Sequence, residues 1–352
     1  MLKCLIVPIL FFGISSAISN SKNNTGRITI KTIVLFIIMF IASFLITYGV
    51  VNVIKPGANF TFQPVEWNEQ LVSPSFKDFI LAMFPSNIFT AMANNTILPV
   101  IIFAFVVGFA VKTLKNDNYC QFFEAGSKLF NKILEWVMCF TPIGVFALIS
   151  NTVAKYGVAT ITSSIAYVGI AWLCCLLVLI LVMIIPVWIA CGISPIEYIS
   201  KVGKVWLITL SSCSSAATLP TTIRTCNEDF NVPKEITDIV VPLGCTIHMC
   251  GGAVSFALLA QFNAEMFNIP ITFGMFVVML LAALLINMGA PGIPGGGIVI
   301  GATYLNLLNI PLDFIGFYAG IYRLLDMAYT TMNVTGDISA NLLIHQSEID
   351  KN

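Results

Sequence analysis

The sequence predicts an all-α membrane protein, a polytopic helical bundle, on three observations. Its 352 residues are 58% hydrophobic and only 10% charged, with a mean hydropathy of +0.92, whereas soluble domains carry about 25% charged residues. Several apolar runs approach or exceed the roughly 20 residues that a membrane-spanning helix needs. Two later runs are interrupted by Ser, Gly and Pro, which predicts broken helices and re-entrant hairpins as well as simple spans.

The predicted spans follow one another as eight apolar runs, at residues 2–18, 33–54, 97–111, 133–153, 165–190, 237–262, 272–300 and 312–334. Lys and Arg concentrate after the first, third and fifth of these runs, so those connections are predicted to be cytoplasmic. The first run would then begin on the outer side of the membrane. We therefore expect a helix to precede it, with Met1 an internal methionine or a misassigned start; a signal peptide is the alternative.

Charge and cysteine content exclude several classes of function. The chain has 17 basic and 17 acidic residues and no long basic cluster, so no nucleic-acid partner is predicted. The ten cysteines form no CxxC pair and show no metal-ligand spacing, which favours buried, inert thiols. No nucleophile, base and orienting group occur together, and the sequence therefore does not predict an enzyme.

A polar stripe runs through the last apolar run, in the segment LLDMAYTTMNVTGD at residues 324–337. On a helix advancing about 100° per residue, five polar side chains share one narrow face: Asp326, Tyr329, Thr330, Asn333 and Asp337. Ionisable groups at membrane depth are costly and mark ion or substrate pathways. Ion pairing inside the bundle is the alternative, but only Arg323 is predicted on that face, which leaves Asp337 for an ion.

Two segments cannot form uninterrupted helices, namely SSCSSAATLPTT at 211–222 and NMGAPGIPGGG at 287–297, because Pro removes a donor and Gly adds freedom. At membrane depth such backbone must be buried by protein or line a cavity, so both are predicted to be tips of re-entrant hairpins. The first predicted hairpin is followed by a span with its own break, at 241–254, in which three glycines permit unwinding: Gly244, Gly251 and Gly252. The second predicted hairpin is followed by the span that carries the polar stripe. A hairpin followed by a broken or polar span, occurring twice, predicts the inverted repeats of a transporter.

The motifs in these segments resemble those of the dicarboxylate/amino acid:cation symporter family, which includes the glutamate transporters. The matching strings are TLP at 218–220, VPLGCTIHM at 241–249, GIPGGG at 292–297, LLDMAYTTMNVTGD at 324–337, and, for the family's second and fifth helices, LKCLIVPILFF and TPIGVFALI. The resemblance covers the whole chain and implies that the family's first helix is missing.

The resemblance also implies a homotrimer in the plasma membrane, whose mobile domains carry substrate by an elevator movement. Residues 1–190 are then predicted to form mainly scaffold and trimerisation helices, with some of them joining the transport domain. Residues 191–345 would form the transport core and 346–352 a cytoplasmic tail.

Site residues are implied position by position. Asp326 matches the aspartate that holds a substrate amino group, and Thr330 and Asn333 match residues that contact its amino and carboxylate groups. The remaining substrate candidates are Ser214, Ser215, Met249, Gly292 and Tyr329. Backbone amides at unwound helix ends suit a carboxylate.

Sodium sites follow from the same resemblance. The carboxylate of Asp337 would bind one ion with the backbone carbonyls of Gly244, His248 and Asn333, because hard cations prefer oxygen ligands. A second ion would bind carbonyls near four residues: Thr246, Asn287, Met288 and Ala290.

A third sodium site of the family is expected to be absent. His248 and Cys250 stand where the family has asparagine and aspartate, and Phe36, Met39 and Phe40 stand where it has tyrosine, threonine and serine. None of these replacements restores a carboxylate ligand. His248 itself is either a packed residue or a group that senses pH or carries a proton.

Tyr329 stands where glutamate and aspartate transporters of the family have an arginine that pairs with the substrate's side-chain carboxylate. Without a bidentate guanidinium, an acidic substrate becomes less favoured. Arg323 is expected to be a counter-ion to Asp326, with a role as substrate ligand as the alternative.

The sequence thus predicts a secondary active symporter for a small amino acid, with a neutral side chain favoured, or for a dicarboxylate. The coupling ion is Na⁺ or H⁺, and no organic cofactor is expected. The alternatives are an uncoupled facilitator, an anion-conducting relative that behaves like a channel, and a non-functional truncated homologue.

Overall fold

The computed structural model describes residues 2–19, 26–58, 81, 83–94, 96–138, 143, 146, 150, 159–288 and 295–349. Every regular element in these ranges is helical, which confirms the predicted all-α class. The helices of this part are α1 (Leu2–Ser19), α2 (Gly26–Ile54), α3 (Ile88–Ala93), α4 (Ile97–Leu114), α5 (Asp117–Met138), α6 (Ala159–Val178), α7 (Ile185–Cys191), α8 (Pro195–Ser212), α9 (Ser215–Arg224), α10 (Lys234–Ile247), α11 (Cys250–Met266), α12 (Phe273–Asn287), α13 (Gly296–Leu307) and α14 (Ile315–Ile349).

Three stretches of this part are long and apolar enough to cross a membrane: Arg27–Ile54, Ile165–Cys191 and Lys234–Met266. The first is most of α2. The second joins α6 to α7 through a π-helical turn at Leu179–Ile184, and the third contains both α10 and α11. Four shorter apolar helical stretches accompany them, at Val7–Ser16, Pro99–Leu114, Phe273–Asn287 and Gly296–Leu307.

Helix α5 begins earlier than the sequence predicts. The segment between the third and fourth predicted spans was expected to be a cytoplasmic connection, but it is helical from Asp117 onward. This helix is amphipathic, with polar side chains on one face and apolar side chains on the other. Lys128 and Glu124, one turn apart, form an ion pair at 2.5 Å. Such i, i+4 pairs support an exposed helical face.

Both segments predicted as hairpin tips interrupt the helices. Helix α8 ends at Ser212 and α9 begins at Ser215, after Cys213 in the left-handed conformation (φ 51°). The second interruption lies between α12 and α13, which starts behind Gly295 at φ 80°. Residues 289–294 of this tip lie outside the described part of the chain. Each segment is thus a pair of helices joined at the predicted place, while re-entry into the membrane stays a prediction.

The break between α10 and α11 lies at His248, whose backbone is extended (φ −100°), and at Met249, whose backbone is also non-helical (φ −136°). The sequence predicted unwinding at the glycines, but all three glycines are helical and serve close packing instead. A Cβ at Gly251 would overlap the carbonyl oxygen of Tyr329, and one at Gly244 would overlap the Asp337 carboxylate. The glycines therefore let the broken helix approach α14.

Helix α14 lies at the centre of the bundle and contacts α2, α6, α7, α8, α9, α10, α11 and α13. Helices that the sequence assigned to a scaffold, α2 and α6, therefore pack against the predicted transport core, whereas α1, α4 and α5 pack mainly on one another. From Ala328 to Leu342 every residue of α14 is buried. Helix α14 continues to Ile349, so part of the predicted tail is helical. Glu348, near the end of α14, forms an ion pair with Lys31, near the start of α2.

Replacing Gly251 by Ala should lower the stability of the folded protein by about 1–3 kcal/mol, because the added methyl group overlaps the backbone of α14. The measurement is thermal unfolding of the purified protein in detergent. Gly203→Ala is the matched control, since a Cβ there meets no atom within 4 Å on a helix. Ala favours a helix over Gly, so this control should be neutral or stabilising. Equal losses in both variants would contradict the packing argument.

Candidate functional site

A cavity lies where the interrupted helices meet α14. Its lining residues come from α9, α11, α12, α13 and α14 and from the breaks before α9 and α11: Cys213, Ser215, Met249, Gly252, Ser255, Phe256, Asn287, Gly297, Ile300, Tyr322, Asp326, Tyr329, Thr330 and Asn333. Three of them belong to the first turns of α9, α11 and α13, namely Ser215, Gly252 and Gly297. The positive ends of three helix dipoles therefore face this cavity, an arrangement that favours anionic groups.

Asp326 contributes the carboxylate in this cavity and is only 7% exposed. Its Oδ2 accepts a hydrogen bond from the backbone N–H of Gly295 at 3.1 Å, and its Oδ1 accepts one from the Thr330 hydroxyl at 3.1 Å. The Tyr322 side chain lies one helical turn away and lines the same cavity. The two donors hold the carboxylate in place, and no positively charged group among the described residues lies within 4.0 Å of it.

Arg323, which the sequence predicts as counter-ion to Asp326, acts on that carboxylate only from a distance. Its guanidinium donates to the backbone carbonyl of Ser211 at 2.6 Å, and its side chain is exposed. No ion pair within 4.0 Å joins it to Asp326 in the described structure. The reason is geometric: residue 323 lies at the rim of the buried stripe, so its long side chain extends to the end of α8.

The polar groups of the α10–α11 break are satisfied by side chains from two other helices. The Asn333 Oδ1 accepts a hydrogen bond from the backbone N–H of Gly251 at 2.8 Å. The Asn287 amide donates to the carbonyl of Met249 at 2.8 Å. Both asparagines are buried and line the cavity. Side chains from α12 and α14 thus stabilise the break next to Met249, which lines the cavity.

Tyr329 is buried at 3% exposure, and it lines the cavity with an uncharged ring. Its hydroxyl makes no hydrogen bond within 3.5 Å to any other described residue. The lining residues include no Lys, Arg or His, and the neighbouring segment 289–294, GAPGIP, contains none either. Four residues of the predicted stripe thus line one cavity, namely Asp326, Tyr329, Thr330 and Asn333. The carboxylate of Asp326 gives this group a net negative charge.

Asp337 lies one turn beyond the cavity and does not line it. The sequence left this carboxylate without a protein partner, and that inference was wrong. His248 Nδ1 lies 2.8 Å from the Asp337 Oδ1, and its Nε2 lies 3.0 Å from the Cys250 Sγ. The extended backbone at residue 248 turns the imidazole toward α14, which sequence spacing could not show.

The other residues predicted to bind an ion or the substrate lie at different places in the structure. The Gly244 carbonyl accepts the backbone N–H of His248 at 2.9 Å, and Met288 caps the end of α12. Thr246 is exposed, with its hydroxyl on the carbonyl of Leu243. Ser214 caps α9 by accepting from the Ala217 N–H at 3.2 Å, while its neighbour Ser215 lines the cavity. Gly292 and Ala290 lie outside the described residues.

Several cavity residues were not identified from the sequence. Tyr322 lies one turn before Asp326 on the same face of α14, so helical spacing was a signal that pointed to it. Gly295, which lies in the GIPGGG string, donates its backbone N–H to the carboxylate, and the hydroxyls of Ser255 and Tyr318 are hydrogen-bonded at 2.7 Å. The sequence did not show these contacts, because they join residues that are distant in the chain.

A helical membrane protein with a buried carboxylate in a cavity between interrupted helices has the architecture of a secondary transporter. Comparison with known proteins agrees: residues 1–347 match the sodium:dicarboxylate symporter family, and the chain belongs to that family. It is therefore an integral membrane transporter and not an enzyme, as the sequence predicted.

Similar proteins include three bacterial transporters. A proton/glutamate-aspartate symporter of Bacillus subtilis (strain 168) is 28% identical over 362 residues, which cover 99% of this chain and 86% of the relative. A proton/sodium-glutamate symport protein of Bacillus caldotenax is 28% identical, with 99% and 85% covered. A C4-dicarboxylate transport protein of Deinococcus radiodurans is also 28% identical, with 99% and 81% covered.

Replacing Asn333 by Ala should destabilise the ligand-free protein by about 1–3 kcal/mol, because the buried N–H of Gly251 loses its acceptor. Thermal unfolding in detergent measures the loss. Thr246→Ala removes a hydroxyl that is exposed and bonds only within its own helix turn, so its effect should stay within about 0.5 kcal/mol. A similar loss in the two variants would show that Asn333 does not support the break.

Proposed function

We propose that this chain is a secondary active symporter that moves a small neutral amino acid across the plasma membrane together with a cation. The observation that carries the proposal is Asp326, a buried carboxylate with two hydrogen-bond donors and no positively charged group within 4.0 Å among the described residues. A buried charge without a close counter-charge is costly. The ammonium group of an amino acid would supply that counter-charge.

The α-carboxylate of such a substrate also has a place in this cavity. The first turns of α9, α11 and α13 point into it through Ser215, Gly252 and Gly297. Helix N-termini stabilise anions through their free N–H groups and dipoles. An ammonium near Asp326 and a carboxylate near these helix ends describe a zwitterion, which supports an amino acid over a dicarboxylate.

The lining argues against a second carboxylate on the substrate. The names of the compared relatives refer to glutamate, aspartate or C4-dicarboxylates. By the family resemblance, Tyr329 stands where glutamate and aspartate carriers have an arginine, and the described residues that line the cavity include no Lys, Arg or His. A second substrate carboxylate would lie near Asp326 without a cationic partner, at a cost in desolvation and repulsion.

Transport would proceed by an elevator movement of the core at 191–345 against scaffold helices within 1–190, in a homotrimer. Two helix pairs with central interruptions support this proposal, namely α8–α9 and α12–α13. The first is followed by the broken helix α10–α11, which lines the cavity from Met249 onward, and the second by α14, which also lines it. Interrupted helices in corresponding positions of two halves are typical of inverted-repeat transporters.

Uptake into proteoliposomes tests the proposal. The purified chain should accumulate labelled small neutral amino acids only under an inward gradient of Na⁺ or H⁺, and glutamate and succinate should compete weakly. Uptake that persists after both gradients are collapsed would contradict symport. A substrate-independent current far larger than the transport rate would instead identify a channel.

Asp326→Asn should raise the Kd for the transported amino acid at least about 30-fold, because loss of a buried charge partner costs about 2–5 kcal/mol. Isothermal titration of the purified protein measures this. The side-chain amide retains an acceptor for the Gly295 N–H, so the fold should persist. The control is Glu265→Gln, which changes a half-buried carboxylate bonded to the backbone N–H of Gly57 at 2.9 Å, outside the cavity lining. Unchanged affinity in Asp326→Asn would exclude this carboxylate as the amino-group site.

A further inference from the structure

His248 lies between two buried side chains that hold both nitrogens of its ring. Asp337 lies 2.8 Å from Nδ1 and Cys250 lies 3.0 Å from Nε2. An imidazole that carries its hydrogen on Nδ1 donates to the carboxylate and accepts the S–H of Cys250 on Nε2. Every polar atom of the ring then has a partner, and all three residues are 2% exposed or less.

Packing fixes the position of this ring. The ring of Phe36 on α2 stacks on the imidazole, with centroids 4.3 Å apart and planes inclined by 12°. On α14, Gly336 leaves the space that the ring fills, because a Cβ at that position would overlap the imidazole Cε1. Three helices thus form a fitted pocket for the histidine next to Asp337.

A sodium ion, which the family name implies, does not fit beside this carboxylate. A hard cation requires several oxygen ligands around it. The space next to the Asp337 Oδ1 is taken by the imidazole, and the ring's other neighbours are the Phe36 ring and the Cys250 thiol. The Gly244 carbonyl, an expected ligand, accepts the backbone N–H of His248.

We infer that the imidazole of His248 takes the position of a sodium ion at Asp337, so that Asp337 is not a sodium ligand in this chain and no sodium ion is coupled to transport there. The N–H of the ring supplies the electropositive partner that the ion would otherwise provide. The inference concerns the coupling cation and therefore rests on the proposed symport.

Stabilisation of the ligand-free protein by sodium tests this inference without any substrate. The Tm of the wild type and of Asp337→Asn is measured between about 1 mM and about 300 mM Na⁺, with choline chloride keeping the ionic strength constant. Asn retains an oxygen that accepts from the His248 Nδ1–H. We expect the sodium-dependent rise in Tm to agree within about 1 °C between the two proteins. A rise that the wild type shows and Asp337→Asn lacks would overturn the inference.

The double variant His248→Asn, Cys250→Asp provides the opposite test, because it replaces the imidazole and thiol by side chains with oxygen ligands. Its Tm should gain a sodium-dependent rise of about 2 °C or more over the same range, and adding Asp337→Asn should remove that gain. His345→Asn, which changes the other histidine of the chain, should gain nothing. A folded double variant that gains no sodium response would show that the imidazole is not what excludes the ion.

Failure of this inference can be distinguished from failure of the proposed function. The sodium response is read from the ligand-free protein, so it does not require that any amino acid binds. Absence of amino acid uptake with equal sodium responses in wild type and Asp337→Asn would reject the proposed substrate and leave the inference on Asp337 intact. A sodium response that depends on Asp337 would reject the inference whether or not uptake occurs.

Discussion

An interrupted helix at membrane depth exposes backbone donors and acceptors that lipid cannot satisfy, and the second half of this chain is arranged around that constraint. At the break between α10 and α11, the N–H of Gly251 is taken by Asn333 and the carbonyl of Met249 by Asn287. The two asparagines come from α14 and α12. The break is therefore stable only when both helices are in place, and this requirement brings the interrupted segments together on one side of α14.

The same arrangement produces the cavity and its charge. Packing the breaks against α14 directs the first turns of three helices toward one point, and Asp326 lies there with donors from Gly295 and Thr330. These donors reduce the cost of burying the carboxylate, and the proposed function assigns the place of a close counter-charge to a substrate ammonium group. Stability and ligand recognition thus depend on the same contacts: changes at Asn333 are expected to affect both.

The chain differs from the glutamate and aspartate carriers that it resembles at both ends of one helical stripe. At the substrate end, Tyr329 places an uncharged ring in the cavity, where the resemblance implies an arginine in those carriers. At the ion end, His248 and Cys250 introduce a ring and a thiol, and the ring binds Asp337. Tyr329 removes a positive charge from the cavity, and His248 provides Asp337 with a hydrogen-bond partner inside the protein. The two ends of the stripe therefore support both proposals, a neutral substrate and a changed coupling cation.

Helical periodicity is a local property, so the sequence by itself determined the class of fold, the two interrupted helix pairs and the polar stripe from Asp326 to Asp337. It did not determine where α10 and α11 separate, because the groups that cap the break lie 82 and 38 residues away in the chain. Nor did it show the partner of Asp337, which the sequence left to an ion. The hydrogen bond from His248 joins residues 89 positions apart, and it depends on the extended backbone at the break and on the space at Gly336. Such contacts have no sequence period, and only the packing of α2, α10 and α14 decided them.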